Sequence, residues 1–138
     1  MAEGFPTPNG LVTLKSSFPV KETVDRLVQR VEAKGLTVFC RIDHAANAVS
    51  AGLKLRPTEV LIFGNAKGGT PLMQATQTIG IDLPLKALAW EDAAGQAWLA
   101  YNDPVSLTAR HGIETLGTAP ATAMRTLLAA VAQGAAVP

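Results

Sequence analysis

The sequence is poor in three features that mark common protein classes: cysteine, charge of one sign and long apolar runs. It has one cysteine in 138 residues, so a single chain can form neither an intramolecular disulfide nor a cysteine-rich zinc site. Its 12 Lys and Arg nearly balance 11 Asp and Glu, so no strong field attracts nucleic acid or anionic lipid. The longest apolar run, residues 127–132, is far shorter than the roughly 20 residues that cross a bilayer. We therefore expect no nucleic-acid partner and no membrane-spanning segment.

Motifs of familiar enzymes and metal sites are also missing. The sequence holds no Gly-x-Ser-x-Gly elbow, no His-Glu-x-x-His pair and no dinucleotide-binding glycine fingerprint. Cys40 falls within a predicted strand rather than at a helix N-terminus, so we interpret it as a small, buried apolar side chain. Two histidines cannot complete a zinc site of three or four ligands by themselves. We expect no metal site and assign no catalytic residue.

What the sequence does contain is enough apolar material for one core. Hydrophobic residues make up 48% of the chain, which suits one domain over residues 11–134. Residues 1–10 hold two prolines and two glycines without a period and predict a flexible tail. They lack the basic start and apolar stretch of a secretory signal, which favours a cytoplasmic protein. Residues 135–138 are predicted to fray.

The first half of the domain shows clear periodicity. Residues 11–18 alternate as a strand does, and Val20, Val24, Leu27 and Val31 then recur at helical spacing until Gly35 ends the helix. Residues 36–44 alternate again, which places His44 on the apolar face of a second strand.

The second half adds three more strands and two longer helices. Residues 59–64 read as a buried strand, and Thr70 and Pro71 as the N-cap and first residue of a helix. Residues 85–91 and 97–102 predict an antiparallel hairpin in which Trp90 and Trp98 pack across strands, and residues 120–133 a last helix. The predicted fold is α+β: a two-layer sandwich of a mainly antiparallel sheet with helices on one face.

Several of these segments together resemble domain of unknown function family 302. The matching segments are residues 41–44 (RIDH), 55–65 (LRPTEVLIFGN), 69–73 (GTPLM), 80–86 (GIDLPLK), 90–92 (WED), 98–104 (WLAYNDP) and 110–112 (RHG). The resemblance spans roughly residues 11–115. It implies a fold similar to the TATA-binding-protein-like sandwiches and a homodimer, and it leaves the biochemical role open.

The best candidate for a binding loop is residues 65–70. Its glycines let backbone N–H groups converge, Lys67 adds a cation, and the helix that follows favours an anion. It is not a P-loop, because the lysine precedes the glycines. Ordinary helix capping explains the same residues. We therefore name Asn65, Lys67, Gly69 and Thr70 as candidate ligand-binding residues.

The second candidate is His44. A neutral imidazole on an apolar face can serve as a haem ligand, as a general base, or as a structural residue bonded to the backbone. His111 is interpreted as a surface or capping residue. We predict a small-molecule or cofactor-binding domain whose cavity is lined by His44 and residues 65–70, with haem as one candidate cofactor. The alternatives are an enzyme that uses His44 with Asp43 or Asp103 nearby, and a structural or interaction module.

Overall fold

The protein folds as one antiparallel sheet with its longer helices on one face. The computed structural model describes residues 4–6, 9–113 and 118–138. The sheet order is β1-β2-β6-β5-β4-β3, which confirms the predicted α+β class. In chain order the elements are β1 (Gly4–Pro6), β2 (Leu11–Lys15), α1 (Val20–Ala33), β3 (Thr37–Asp43), α2 (His44–Ser50), β4 (Thr58–Gly64), α3 (Ala66–Ala75), a 3₁₀ helix (Gln77–Ile81), β5 (Leu85–Glu91), β6 (Ala97–Asn102), α4 (Pro104–Arg110) and α5 (Thr118–Ala136).

Helix α1 forms where the apolar spacing predicts it. Val24 and Leu27 are 1% and 0% exposed, because residues three and four apart share the helix face that meets the sheet. Thr23 is also buried, and its hydroxyl donates to the carbonyl of Pro19, 2.9 Å away. Gly35 follows the helix at a φ of +77°, a conformation that favours glycine. The predicted first helix and its end are confirmed.

The two faces of the sheet differ in what covers them. Helices α1 and α5 contact the face that carries Leu61, Phe63 and Leu99, all fully buried. On the opposite face, which we call the open face, a row of partnered residues crosses five strands: Ile42, Val60, Leu88, Ala100 and Thr13. Trp90 and Trp98 pair there with ring centroids 6.3 Å apart. The cross-strand tryptophan pair is confirmed, but the two rings are only partly buried on the open face and do not belong to the core, where the interpretation of core packing had placed them.

A β-bulge at Phe39 overturns the predicted alternation along β3. Val38 pairs with a residue of the helix-covered face, whereas Cys40, two positions on, pairs with one of the open face. The extra residue reverses the later side chains. Cys40 is therefore exposed rather than buried, and Arg41 turns toward α1, where it binds Asp25 at 2.7 Å and Glu59 at 2.8 Å.

His44 does not belong to β3 at all. The strand ends at Asp43, whose side chain accepts the backbone N–H of Ala46 at 2.8 Å and so acts as the N-cap of α2. His44 is the first residue of that helix and is exposed. The predicted buried position of His44 on an apolar strand face is wrong, because Asp43 ends the strand as the N-cap of α2 and His44 begins the helix.

Both predicted chain ends differ from the structure. Gly4–Pro6 form the edge strand β1 on β2, while residues 1–3 and 7–8 of the predicted tail lie outside the described residues. Helix α5 continues to Ala136, which is fully buried. Arg26 of α1 donates to the carbonyls of Gly134, Ala135 and Val137. The predicted fraying at 135–138 is wrong, because α1 binds the last turn.

Candidate functional site

A cavity of about 650 Å³ lies beside the first turns of α3. Four parts of the fold line it: the start of β3, the start of α3, the segment that leads into β5, and the first half of α5. Most of the side chains that line it are apolar. The lining residues are Leu36, Phe39, Gly64, Asn65, Ala66, Lys67, Gly68, Gly69, Thr70, Pro71, Met73, Leu83, Pro84, Leu85, Pro120, Ala123, Met124 and Leu127.

Helix α3 begins five residues earlier than predicted. Asn65 is its N-cap, with its side-chain oxygen accepting the N–H of Gly68 at 2.7 Å. Residues 66–70 are therefore helical rather than a loop, and Pro71 lies inside the helix rather than at its first position. The prediction of Thr70 as N-cap is wrong. Asn65 caps the helix instead because its amide oxygen reaches the third residue, as an N-cap requires.

The glycines of this turn allow close packing against α5. A Cβ built at Gly68 would lie 3.3 Å from the terminal methyl of Met124 and 3.2 Å from Oδ1 of Asn65. An added Cβ would therefore require the methyl of Met124 and the side chain of Asn65 to shift by a few tenths of an ångström. The glycine lets the first turn of α3 pack closely against Met124 of α5.

The electrostatics of the cavity are simple. Lys67 is the only charged residue among the lining residues, which all lie in the described part of the chain. It sits in the first turn of α3, where the helix dipole also presents its positive end. Asn65 and Thr70 add polar atoms, and the remaining wall is apolar. This arrangement favours an apolar molecule that carries a negative group.

Four of the five predicted ligand-binding residues line this cavity and one does not. Asn65, Lys67, Gly69 and Thr70 are brought together there. His44 follows the far end of β3, a seven-residue strand whose first residue pairs with Gly64. At the usual strand rise, this separates His44 from the cavity by roughly 20 Å. The cavity near His44 is therefore a wrong prediction, and the cavity offers no histidine to a haem iron among the described residues.

A second constellation, the Thr78–His111–Asp82 cluster, joins the 3₁₀ helix to the end of α4. Nε2 of His111 lies 2.6 Å from Oδ2 of Asp82, and Nδ1 lies 2.9 Å from Oγ1 of Thr78. The side chains of His111 and Asp82 are only 9% and 15% exposed. Arg110 holds both oxygens of Asp82, at 2.8 and 2.9 Å. His111 is the C-cap of α4, as its interpretation as a capping residue predicts, but its ring also belongs to this cluster.

The carboxylate decides the tautomer of His111. An ionised Asp82 can only accept, so the neutral imidazole must carry its proton on Nε2. Nδ1 then has a free lone pair and accepts the hydroxyl proton of Thr78. Hydroxyl, imidazole and carboxylate are thus connected in the order found in hydrolytic triads.

The acids proposed as partners of His44 have other roles. Asp43 caps α2, as described above. Asp103 caps α4 and forms a two-pronged pair with Arg125, at 2.9 and 2.6 Å. The hydrogen bonds from Arg125 lower the pKa of Asp103, because they stabilise the charged carboxylate. Burial acts in the opposite direction but has the smaller effect on this pKa. Within residues 4–6, 9–113 and 118–138 no group of three His, Cys, Asp or Glu side chains could hold a metal ion.

Sequence reasoning missed the cluster because its members are far apart in the chain. His111 and Asp82 are separated by 29 positions, and no spacing rule connects a 3₁₀ helix with a helix C-terminus. The one available signal was that both residues lie in segments that carry the family resemblance, 80–86 and 110–112. Those segments indicate the family and its fold, but nothing in them predicts a contact between the two residues.

Comparison with known proteins settles the family. The model for "Domain of unknown function DUF302" matches residues 12–133. The chain belongs to the DUF302 family. A crystal structure of an uncharacterised conserved DUF302 protein from Bacillus stearothermophilus superposes with a TM-score of 0.82. The match covers 91% of this chain and 98% of that one at 20% identity, so it supports the shared DUF302 fold.

Two curated proteins match part of this chain at higher identity. They are named fluoride-specific ion channel FluC 1, from Brucella suis biovar 1 (strain 1330) and Brucella abortus biovar 1 (strain 9-941). Each is 51% identical over 105 residues, or 76% of this chain. The chain spans only about two fifths of their length, 41% and 39%. In the described part of this DUF302 chain, no helix is both long and apolar enough to cross a membrane.

Proposed function

We propose that this DUF302 domain binds a small, mainly apolar molecule with one anionic group in the cavity beside α3. The observation that carries the proposal is the cavity itself. Its volume of about 650 Å³ falls in the range of roughly 300–1,000 Å³ typical of ligand pockets. Met73 and Met124 in its wall supply flexible side chains that adapt to a ligand's shape.

The anionic group follows from the charges on the wall. Lys67 has no acidic neighbour among the lining residues, so it offers unopposed positive charge to a bound molecule. The N-terminus of α3 adds a positive dipole end at the same place. A ligand whose carboxylate or sulfonate lies beside Lys67 would place its apolar part among Leu83, Met124 and Leu127.

Anilinonaphthalene sulfonate is a suitable probe, since it joins an apolar ring system to one anion. We expect the folded protein to bind it with increased fluorescence. Ala123→Phe should fill the cavity and weaken binding at least about tenfold, because a bound apolar body loses its contact area. Ala130→Phe is the matched control, as Ala130 is exposed on the same helix and does not line the cavity.

Lys67 can be tested with the same probe. Lys67→Gln should weaken binding about two- to fivefold, the range of an exposed ion pair, while Lys34→Gln, an exposed lysine away from the cavity, should not. Equal binding by the two phenylalanine variants would contradict the cavity as the binding site. Equal binding by the two glutamine variants would contradict the anionic group alone.

We also propose that two copies associate through the open face. Its row crosses five strands, four of its five residues are apolar, and contiguous exposed apolar patches mark interaction surfaces. At usual strand spacing it measures roughly 20 Å across, which suits a modest interface rather than a permanent one. Leu88→Glu should shift sedimentation from dimer to monomer. Leu53→Glu, at a residue that is 66% exposed and not part of this row, should leave it unchanged. A monomeric wild-type protein would contradict the dimer.

A second candidate function is a role in fluoride handling. Its support is the 51% identity with part of two proteins named as fluoride channels. Deleting the gene should then lower the fluoride concentration that the cells tolerate, and restoring it should reverse the effect. Growth in fluoride that is independent of the gene would contradict this candidate.

A further inference from the structure

We propose that Thr78, His111 and Asp82 form a hydrolytic triad that cleaves small carboxylic esters through an acyl-threonine intermediate. The proposal stands on the geometry of the cluster and does not depend on ligand binding in the cavity. Two direct hydrogen bonds connect the three side chains, at 2.9 Å from hydroxyl to imidazole and 2.6 Å from imidazole to carboxylate. These are the two contacts that nucleophilic activation requires.

The solvent exposure of the three side chains suits their proposed roles in ester hydrolysis. Thr78 is exposed, so a substrate can reach its hydroxyl from solvent. The side chains of His111 and Asp82 are 9% and 15% exposed, so the base and the carboxylate are shielded behind it. A shielded imidazole keeps one orientation, whereas a solvated one would rotate away from the hydroxyl.

Arg110 is the apparent obstacle, because it also binds Asp82. Its side chain is 63% exposed, so solvent screens its charge and the ion pair is weak. Asp82 still has a short contact to His111. Arg110 therefore leaves the carboxylate of Asp82 available to the imidazole of His111.

The reaction balances with water as the only co-reactant. Oγ1 of Thr78 attacks the carbonyl carbon of the ester while its proton moves to Nδ1 of His111. The bond from that carbon to the alkoxy oxygen then breaks, and His111 returns the proton to the leaving alcohol. Water, deprotonated by His111, attacks the acyl-threonine, and the acid leaves as Thr78 regains its proton. Asp82 is a positioning residue that holds the Nε2–H tautomer.

Hydrolysis of nitrophenyl acetate tests the proposal. We expect turnover above the buffer rate, with one acetyl group found on the peptide that contains Thr78 by mass spectrometry. Thr78→Val and His111→Gln should each lower the rate about 10²- to 10⁴-fold, or to background, as loss of acid–base catalysis does. Thr78→Ser should keep activity, since it keeps the hydroxyl. Thr126→Val, at an exposed threonine of α5, is the control and should match the wild type.

The variant Asp82→Asn distinguishes a positioning role of Asp82 in catalysis from a purely structural role. A positioning role predicts a fall in kcat with little change in KM and an unchanged circular dichroism spectrum. Wild-type protein with no turnover above buffer overturns the proposal, and so does acetylation at a lysine or at His111 in place of Thr78. A Thr78→Val variant that folds and retains the wild-type rate also overturns it.

Discussion

Helix α5 has two kinds of neighbour along its length, and the contrast separates stability from binding. Its last turns hold Leu128, Val131 and Ala135, which are 1%, 1% and 0% exposed against α1 and the sheet. Its earlier residues Met124 and Leu127 are only partly buried: they pack against the edge of the same core and also line the cavity. The packed part can maintain the fold while the earlier part leaves space. Adjacent leucines on one helix can therefore have very different energetic roles.

Truncating a side chain of the packed core should cause the largest loss of stability. Leu27→Ala, on the α1 surface that faces this core, should lower the free energy of unfolding by about 2–5 kcal/mol, because a fully buried leucine leaves an unfilled void. Urea denaturation followed by circular dichroism measures this. A loss below about 1 kcal/mol would mean that the core around α1 closes over the void as easily as the cavity wall does. The two parts of α5 would then not differ in their contribution to stability.

The connection between α4 and α5 should show an intermediate effect that depends on pH. Asp103→Asn removes the charge that Arg125 binds, and we expect a loss of about 1–2 kcal/mol, limited by the 51% exposure of the Arg125 side chain. The folded pKa of Asp103 is lowered, so this stability is present above the unfolded pKa of about 3.9 and is lost as pH falls through the folded value.

Unfolding at several pH values gives the measurement. The difference between wild type and Asp103→Asn should be constant near neutral pH and should shrink below about pH 4. Arg125→Gln is the partner control and should remove the same pH-dependent part. A difference that grows as the pH falls would mean that the pair does not stabilise the charged form.

The cavity side should show the smallest effect. Leu127→Ala should cost less than about 1–2 kcal/mol, since the leucine already borders open space and little new void is created. The same variant should weaken binding of anilinonaphthalene sulfonate. A loss as large as that of Leu27→Ala would mean that the cavity wall is part of the core.

The fold could be predicted from the sequence where periodicity was strong. The apolar spacing of α1 predicted one helix, and the strand alternation with a turn between Trp90 and Trp98 predicted one hairpin. In both segments the local signals agreed with one another. The prediction failed at β3, where one extra residue at Phe39 reversed the faces and Asp43 capped a helix. Neither event changes hydrophobic periodicity enough to be seen beforehand.

The candidate site could be predicted only in part. Residues 65–70 were identified by composition, and they do line the cavity, although as a helix and not as a loop. The opposite wall is supplied by α5 (Thr118–Ala136), which is far from residues 65–70 in sequence, so its contribution required the fold. The His111 contacts required it as well, because a histidine at a helix end is far more often only a cap.

The bulge in β3 has a consequence for how the protein behaves in concentrated solution. β3 is an outer strand of the sheet, and a regular outer strand offers a row of free N–H and C=O groups to any other extended chain. The irregular pairing at Phe39 interrupts that row, and the Arg41 ion pairs anchor the strand to α1. Edge-to-edge growth into long sheets is therefore disfavoured on this side of the sheet.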